Sequence, residues 1–449
     1  MAPPGSSSMM PAKAIPRIRL TSEDEAEYKS LAEESLRETL RSYEEFLYAH
    51  HHRVDTKRWK LIKERESVQV FKERVVASSG SSRSTESSRS FGILSPSSSS
   101  SLSDSVSSSS QRNPNISMQI GPKSAMAANS KLPLMLVKGT VQGTLDDAMY
   151  GSYVDDTDSL RLRSVYDKDL MEDSAVLATI ETATASDPFH HLNVLWLLRD
   201  FPGLNSVVKR RDFLLLNKSG TTTTSRGERI GYSLMHSIQH RDLPDLSQSG
   251  IVRAKMSYCL VFRQHDNEHI DLFNQTIVDP GGSIMNFVVV AETAQSLFSC
   301  GEVMHTAHKK KLFYFMRKQA RALAASANVI ANQPSPLSSS SSGTSSSTKS
   351  AAALARARYQ ITKRQASDKC AACEKSFGKF FSSSGCFCQI CQRMICSRCS
   401  LKKKIVIEAS ERKVILKPFV FCIVCTIKAS NFPAKQVQIE ELRERQYLQ

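Results

Sequence analysis

The chain reads as an α+β protein carrying a separate, metal-stabilised module. Between about residues 20 and 330, helical sequence is followed by a series of strand-like segments and then by one long helical stretch. Eight of the eleven cysteines form four Cys-x2-Cys pairs near the C-terminus. Two stretches, about 77–130 and 333–350, are dominated by serine and other polar residues and lack the apolar surface needed to order a chain.

Residues 1–19, rich in proline and serine, are expected to be disordered. A helix is expected from Ser22, where Ser22 and Glu25 have capping-box spacing, and Leu36, Leu40, Tyr43 and Leu47 recur at helical intervals. His50, His51 and His52 follow; they read as a helix end, where a cationic imidazole suits the dipole, with metal binding as the alternative. In Trp59–Phe71, the alternating half from Ser67 reads as a strand with one wet face. The serine-rich stretch 77–130 then interrupts strand-like sequence on both sides, so it reads as an insertion within one domain.

Leu134–Val137, closed by Gly139, reads as a short strand, with a helix start at Thr144–Met149. Ala175–Ile180, Asp212–Asn217, Ile230–Ile238, Ile251–Phe262 and Ile270–Val278 read as strands. Ser219–Gly227 reads as a turn and His240–Gly250 as a longer loop. After Asp279-Pro280-Gly281-Gly282, helical sequence runs to about Ala327, with Leu297, Met304, Ala307, Leu312, Phe315 and Met316 on an apolar face. Lys309–Lys311 mark its wet face, and Gly301 is a weak point costing about 1 kcal/mol relative to alanine. A linker over 333–365 is long enough to let two domains move independently. A zinc module over 366–430 and a charged, helix-prone tail over 431–449 complete the chain.

The formal net charge is +16, and from Ala351 onward 19 Lys and Arg stand against 7 Asp and Glu. Such an excess points to anionic partners, membrane surfaces or nucleic acid. Nucleic-acid binding is disfavoured, because Phe419 and Phe421, the aromatics among the basic residues, sit in an apolar, strand-like run. No run of 18 apolar residues and no secretory leader is evident, and grouped thiols suit a reducing compartment. A cytoplasmic location is expected.

The pairs Cys370/Cys373, Cys388/Cys391, Cys396/Cys399 and Cys422/Cys425 supply eight thiolates, the ligand set of two structural Zn2+ ions. Fourteen residues separate the first two pairs, four the next and twenty-two the last. A tandem arrangement joins pairs one with two and three with four; an interleaved one joins one with three and two with four. Cys259 and Cys300 read as core residues.

The segment Cys388–Ser400, with Phe377 after the first pair, resembles a FYVE-type zinc finger. That resemblance implies the interleaved cross-brace. RING and PHD fingers fit less well, since no histidine follows His308. The lipid-reading motifs of the family, WxxD, RRHHCRxCG and RVC, are altered. No tryptophan precedes Cys370, Ser384-Gly385-Cys386-Phe387-Cys388-Gln389 replaces the basic core, and Val420-Phe421-Cys422 replaces the last motif. The arginines that would hold headgroup phosphates are therefore missing. Phe380 and Phe381 are candidates for bilayer insertion or for a small core. Lys402, Lys403 and Lys404 are candidates for contact with anionic lipid, or a solvated charge run.

Trp59–Phe71, Arg211-Asp212-Phe213, the loop around Pro244, Val252-Arg253 and Asp279–Gly282 before the last helix together resemble a START domain over about 22–330. That resemblance implies a helix-grip fold, in which a curved antiparallel sheet holds the last helix around a lipid-sized cavity. Arg253, Leu297, Met304 and Phe315 are the cavity candidates, with an internal ion pair as the alternative for Arg253 and plain packing for the others. The functional expectation is a non-catalytic, cytosolic lipid-binding adaptor, peripheral on endosomal membranes, with a lipid of unknown class as ligand and a membrane or protein as docking partner. The alternative is a RING-like ubiquitin ligase or a protein adaptor without headgroup specificity. No nucleophile elbow, phosphate loop or metallohydrolase motif is present, and His190/His191 and His236/His240 lack carboxylates at convincing spacing.

Overall fold

The computed structural model describes residues 15, 17–74, 134–167, 171–200, 208–331, 368–377, 385–410 and 413–446. The expected serine-rich insertion, the linker and Phe380/Phe381 lie outside the described residues. Ile15 and Ile18 are buried in the main core, so chain expected to be disordered is packed from there.

Helix α1 (Ser22–Glu44) is capped one residue earlier than expected. Thr21 Oγ1 accepts from the Asp24 amide, and the Asp24 carboxylate accepts from the Thr21 amide. Tyr28, Ala32, Ser35, Thr39 and Tyr43 recur every three or four residues and form its buried stripe. The helix ends in a π turn, Glu45–Ala49, after which His51 and His52 take positive φ.

Among the described residues, ten strands form one sheet: β1 (Trp59–Arg65), β2 (Val68–Glu73), β3 (Met135–Gln142), β4 (Met171–Glu181), β5 (His191–Arg199), β6 (Arg211–Thr223), β7 (Arg229–Ser237), β8 (Val252–Arg253), β9 (Lys255–Gln264) and β10 (His269–Asp279). Their spatial order is β1-β2-β3-β10-β9-β7-β6-β5-β4, antiparallel throughout, with β8 alone parallel on β6. Even-numbered residues of β5 and β6, such as Trp196 and Leu214, pack towards α1. The other face is covered by α2 (Leu145–Ser152), α3 (Thr157–Asp167), α4 (Asn286–Leu297) and α5 (Val303–Ala331).

Several expected boundaries move. The strand expected to close at Gly139 runs through it, because β2 approaches so closely that a Cβ there would stand 2.9 Å from the Ser67 carbonyl. Residues 219–223, expected as turn, extend β6 along β7, and the reversal is Thr224–Glu228. The Ile251–Phe262 strand divides at Ala254 into β8 and β9, whose partners differ. The terminal helix breaks into α4 and α5 around a 3-10 turn, Phe298–Gly301. Strands β1 and β5 and helix α3 were not anticipated.

The cysteine-rich module contributes the hairpins β11 (Cys386–Phe387)/β12 (Met394–Ile395) and β13 (Ser400–Ala409)/β14 (Val414–Cys422), then α6 (Ile423–Asn431). The tail forms α7 (Ala434–Gln446). Far from moving independently, the module is docked on α5. Leu312 of α5, fully buried, joins the core of Ile395, Ile405, Phe421 and Ala429. The Val406 amide donates to Tyr166 Oη at 2.8 Å, and Arg161 donates to the Ser410 carbonyl at 2.9 Å. Helix α7 lies along α2 and α5: Tyr150 Oη donates to Glu441, Arg317 pairs with Glu441, and Arg445 pairs with Asp155. Accordingly, the lysines expected to mark a wet face are covered. Lys309 and Lys310 lie over the rings of Tyr166 and Tyr150, and Lys311 is 1% exposed, with its ammonium on Asp147.

Candidate functional site

A cavity of about 150 Å3 lies between the covered sheet face and α4. Its apolar wall comes from Leu197, Phe213, Met235, Met256 and Val278 on the strands, facing Val288, Val289 and Leu297 on α4 and Leu160 on α3. Period-2 alternation places these strand residues on one face. Polar groups also line it. Arg163 donates to Asp167 (3.0 Å), Arg199 to Ser296 Oγ (2.7 Å) and Arg211 to the Pro280 carbonyl (3.3 Å). Arg199 and Arg211 are register partners on β5 and β6. Arg211 is almost wholly buried, and burial pulls its guanidinium below the ordinary arginine range.

The cavity occupies only part of the trough. Further along the same face, His191, Asn193, Asn217 and Ser219 form a buried polar cluster under the chain that follows α2. Asn193 and Asn217 both donate to the Val154 carbonyl. His191 lies 2.8 Å from Ser219 Oγ and 2.9 Å from Asn217 Nδ2. Because Ser219 Oγ donates to the Phe189 carbonyl, His191 Nδ1–H is the donor to Ser219 and Nε2 accepts from Asn217. Burial pushes the His191 pKa down to about 3, so the ring is neutral. This cluster ties the chain leaving α2 to the sheet, so that α2 plugs the trough beside the cavity.

Of the four expected cavity residues, Leu297 lines the space and three do not. Arg253 is held on both oxygens of Asp212, at 2.9 and 3.0 Å, and Asp212 also accepts from the Trp196 indole. Asp212 and Trp196 alternate with the cavity-facing residues, so this ion pair sits on the α1 side. Met304 is spent on Gly143, where a Cβ would collide with its Cε at 1.8 Å. Gly143 has φ +141°, which an L side chain rarely adopts, so the close approach suits glycine. The Phe315 ring stands 5.2 Å from both Tyr314 and Phe432, in the seam between α5 and the tail. Arg199 was missed because β5 was, and Arg211 was read only within the START-like Arg211-Asp212-Phe213 echo; their pairing is visible only once β5 is set against β6.

The eight paired cysteines form two groups, Cys370/Cys373/Cys396/Cys399 and Cys388/Cys391/Cys422/Cys425, with all sulfurs of a group within 4.8 Å of one another. This is the interleaved pairing. A tetrahedral zinc–sulfur bond of about 2.3 Å implies sulfur–sulfur edges of about 3.8 Å; Cys373 and Cys396 stand 3.9 Å apart. The Cys422 and Cys396 amides donate to the Cys388 and Cys370 sulfurs, which suits thiolates. The donor set fits two zinc ions with every position filled by protein. Cys259 and Cys300 are buried in the main core, as expected. Lys402, Lys403 and Lys404 are exposed on β13, and Gln389 donates its amide to the Val420 carbonyl.

No family model and no curated protein matches the chain. Solved structures with a similar fold include human STARD10 (13% identity, 72% of this chain and 92% of that one, TM-score 0.36) and human StAR-related lipid transfer protein 5 (14%, 62% and 97%, TM-score 0.36). A STAR-related lipid transfer protein fragment from Xanthomonas axonopodis is also similar (14%, 56% and 98%, TM-score 0.33). The fold is START-like by its own strand order and paired terminal helices: an α+β helix-grip sheet joined to a module with two four-cysteine clusters.

Proposed function

We propose that this protein is a non-catalytic lipid-binding protein whose zinc module serves as a docked, FYVE-like accessory for contact with a membrane or a protein. The observation that carries the reading is the apolar cavity between the sheet and α4. Burial of an acyl or ring surface there contributes about 25 cal/mol per Å2 of apolar area. At about 150 Å3 the cavity is smaller than the roughly 300 Å3 at the lower end of small-molecule sites, so a ligand enters by displacing α4 and the segment leading into it. That segment contains Gly281 and Gly282, both at φ +61°, and the exposed Met285, and the exposed Phe287 stands in the first turn of α4.

Zinc, when bound, supplies cross-linking of four chain segments. The chain's own residues then set the surface of the module, where the exposed Lys402–Lys404 favour an anionic partner, as on endosomal or other cytoplasmic membranes. The test is native mass spectrometry of the zinc-loaded full chain after incubation with mixed-lipid vesicles. One tightly held lipid per chain is expected, reduced about tenfold or more by Met235→Trp, which fills the cavity. A chain that emerges without lipid from every vesicle composition refutes the reading.

A further inference from the structure

We infer that the zinc module meets a membrane through the outer face of α6, with Ile423, Val424 and Ile427 entering the interface of an anionic bilayer. The inference rests on the membrane contact proposed above and names the surface that makes it. Helix α6 is inverted relative to an ordinary surface helix, which turns its apolar residues inward and its polar ones to water. Its buried side carries the N-cap Cys422, Cys425 and Ala429, two zinc ligands and one small residue. At about 100° per residue, Ile423, Val424 and Ile427 point the opposite way. They are 44%, 49% and 54% exposed. Single exposed aliphatic residues are common on any surface, but three neighbours on one helix face form a patch.

The charge around the patch selects its occupant. Exposed lysines stand at both ends of α6. Lys402 is the register partner of Val420, two residues before the N-cap, and Lys428 and Lys435 lie at and beyond the other end. No acidic residue occurs in α6 itself. From Asp368 to Phe432 the sequence carries twelve Lys and Arg against four Asp and Glu, an excess that outlasts the two negative charges of each zinc–tetrathiolate centre. An apolar helix face flanked by lysines is the pattern of a helix that lies in the membrane interface beside anionic headgroups. The patch spans little more than one turn, short of the i, i+3, i+4, i+7 anchors with which a helix fills a protein groove. A fluid bilayer requires no such length and no matching shape.

The experiment is co-sedimentation of the zinc-loaded full chain with phosphatidylcholine vesicles, with and without phosphatidylserine, at low and high salt. The chain should bind the anionic vesicles and keep part of that binding at high salt, because salt screens the lysines and not the apolar face. Val424→Ser with Ile427→Ser should lower the partition about tenfold or more, with zinc content and melting curve unchanged. Should that pair disturb the zinc beside Val424, Ile427→Ser alone decides the matter, since Ile427 adjoins no ligand in sequence. Ile427→Trp should bind at least as tightly, and its fluorescence should be quenched by phosphatidylcholine brominated on the acyl chains. The native Trp59 and Trp196 are both buried and supply an unquenched background. Serine variants that bind as the unmodified chain does, an unquenched indole on bound chain, or binding abolished by salt each overturn the inference and leave the contact to charge or to another surface. Failure to bind any vesicle overturns the inference and the membrane reading together, and leaves a protein as the docking partner. The cavity's lipid is read separately by mass spectrometry, so none of these outcomes bears on it.

Discussion

Replacing Lys311 by methionine tests whether the zinc module is docked as described. The Lys311 ammonium lies 2.5 Å from Asp147 Oδ1 on α2 and donates to the Ser430 carbonyl on α6 at 2.8 Å. It therefore joins three helices, two from the sheet domain and one from the module. At that separation the pair is worth roughly 7 kcal/mol gross at an effective dielectric constant of 20, most of it offset by desolvation. Removing one partner of a buried pair typically costs about 3–5 kcal/mol, because the other charge is left uncompensated. Asp147 keeps one partner, Thr144 Oγ1 at 2.8 Å, and its side chain is 14% exposed, so the lower end applies. The Ser430 carbonyl loses its donor for about 1 kcal/mol more. Lys311→Met should thus lose about 3–4 kcal/mol in urea unfolding of the zinc-loaded full chain. Lys311→Met with Asp147→Asn should recover all but about 1 kcal/mol, since no buried charge remains. Hydrogen exchange of residues 423–431 should rise in Lys311→Met. A loss below about 1 kcal/mol, or strictly additive single and double variants, would refute the bridge.

Zinc analysis of the full chain should give two ions, and Cys370→Ser with Cys396→Ser should lose one. Cys370→Ser with Cys388→Ser should lose both; a tandem arrangement would lose only one in that case. Chelation should also destabilise the sheet domain, by about 2–3 kcal/mol for Leu312 alone, because its cover unfolds; unchanged exchange in 303–326 would contradict this. His191 has a folded pKa near 3, below the ordinary histidine value near 6.5. The unfolded chain therefore binds more protons between those values. The contribution is fully present above about pH 6.5 and is lost on acidification, on the order of 3 kcal/mol by pH 4. His191→Gln, less stable at pH 7, should show a flatter profile between pH 4 and 6.5, and parallel profiles would exclude the assignment.

What the sequence concealed follows from the environments of particular residues. Strand β5 is covered on both faces, so Val194, Leu195, Trp196, Leu197 and Leu198 form an unbroken apolar run without the two-residue alternation that marks a half-buried strand. Strand β1 fails in the opposite way, since all but Trp59 and Ile62 of its seven residues are exposed and only pairing with β2 makes it a strand. The helix-start signal at Thr21–Glu25, which rests on local chemistry, was legible to within a residue, whereas Gly301 read only as a weak point in a helix that in fact breaks there. The metal ligands were legible because Cys-x2-Cys is a local requirement of one ion. Which pairs share an ion is a matter of chain path, and it is settled in space. Docking was hidden because it depends on lysines: Lys310 and Lys311 are read as solvent-facing unless the tyrosine and aspartate that receive them are already known to be adjacent.

Helix α5 consequently binds both halves of the molecule. On one side it meets α2 at backbone distance: a Cβ on Gly151 would stand 2.0 Å from the Val303 carbonyl, so only glycine permits the approach. Helix α2 in turn plugs the trough beside the cavity. Around the rest of α5, Leu312 enters the core of the zinc module, Lys311 reaches α6, and Arg317 and Arg321 pair with Glu441 and Glu444 of the tail. The module and the cavity are thus connected through two packed helices, by contacts with named atoms. If the module touches a membrane through Lys402–Lys404, the orientation of the cavity there is set by this packing. The gain from joining two sites is then set by geometry, whether both face the same surface, and not by the length of the chain between them.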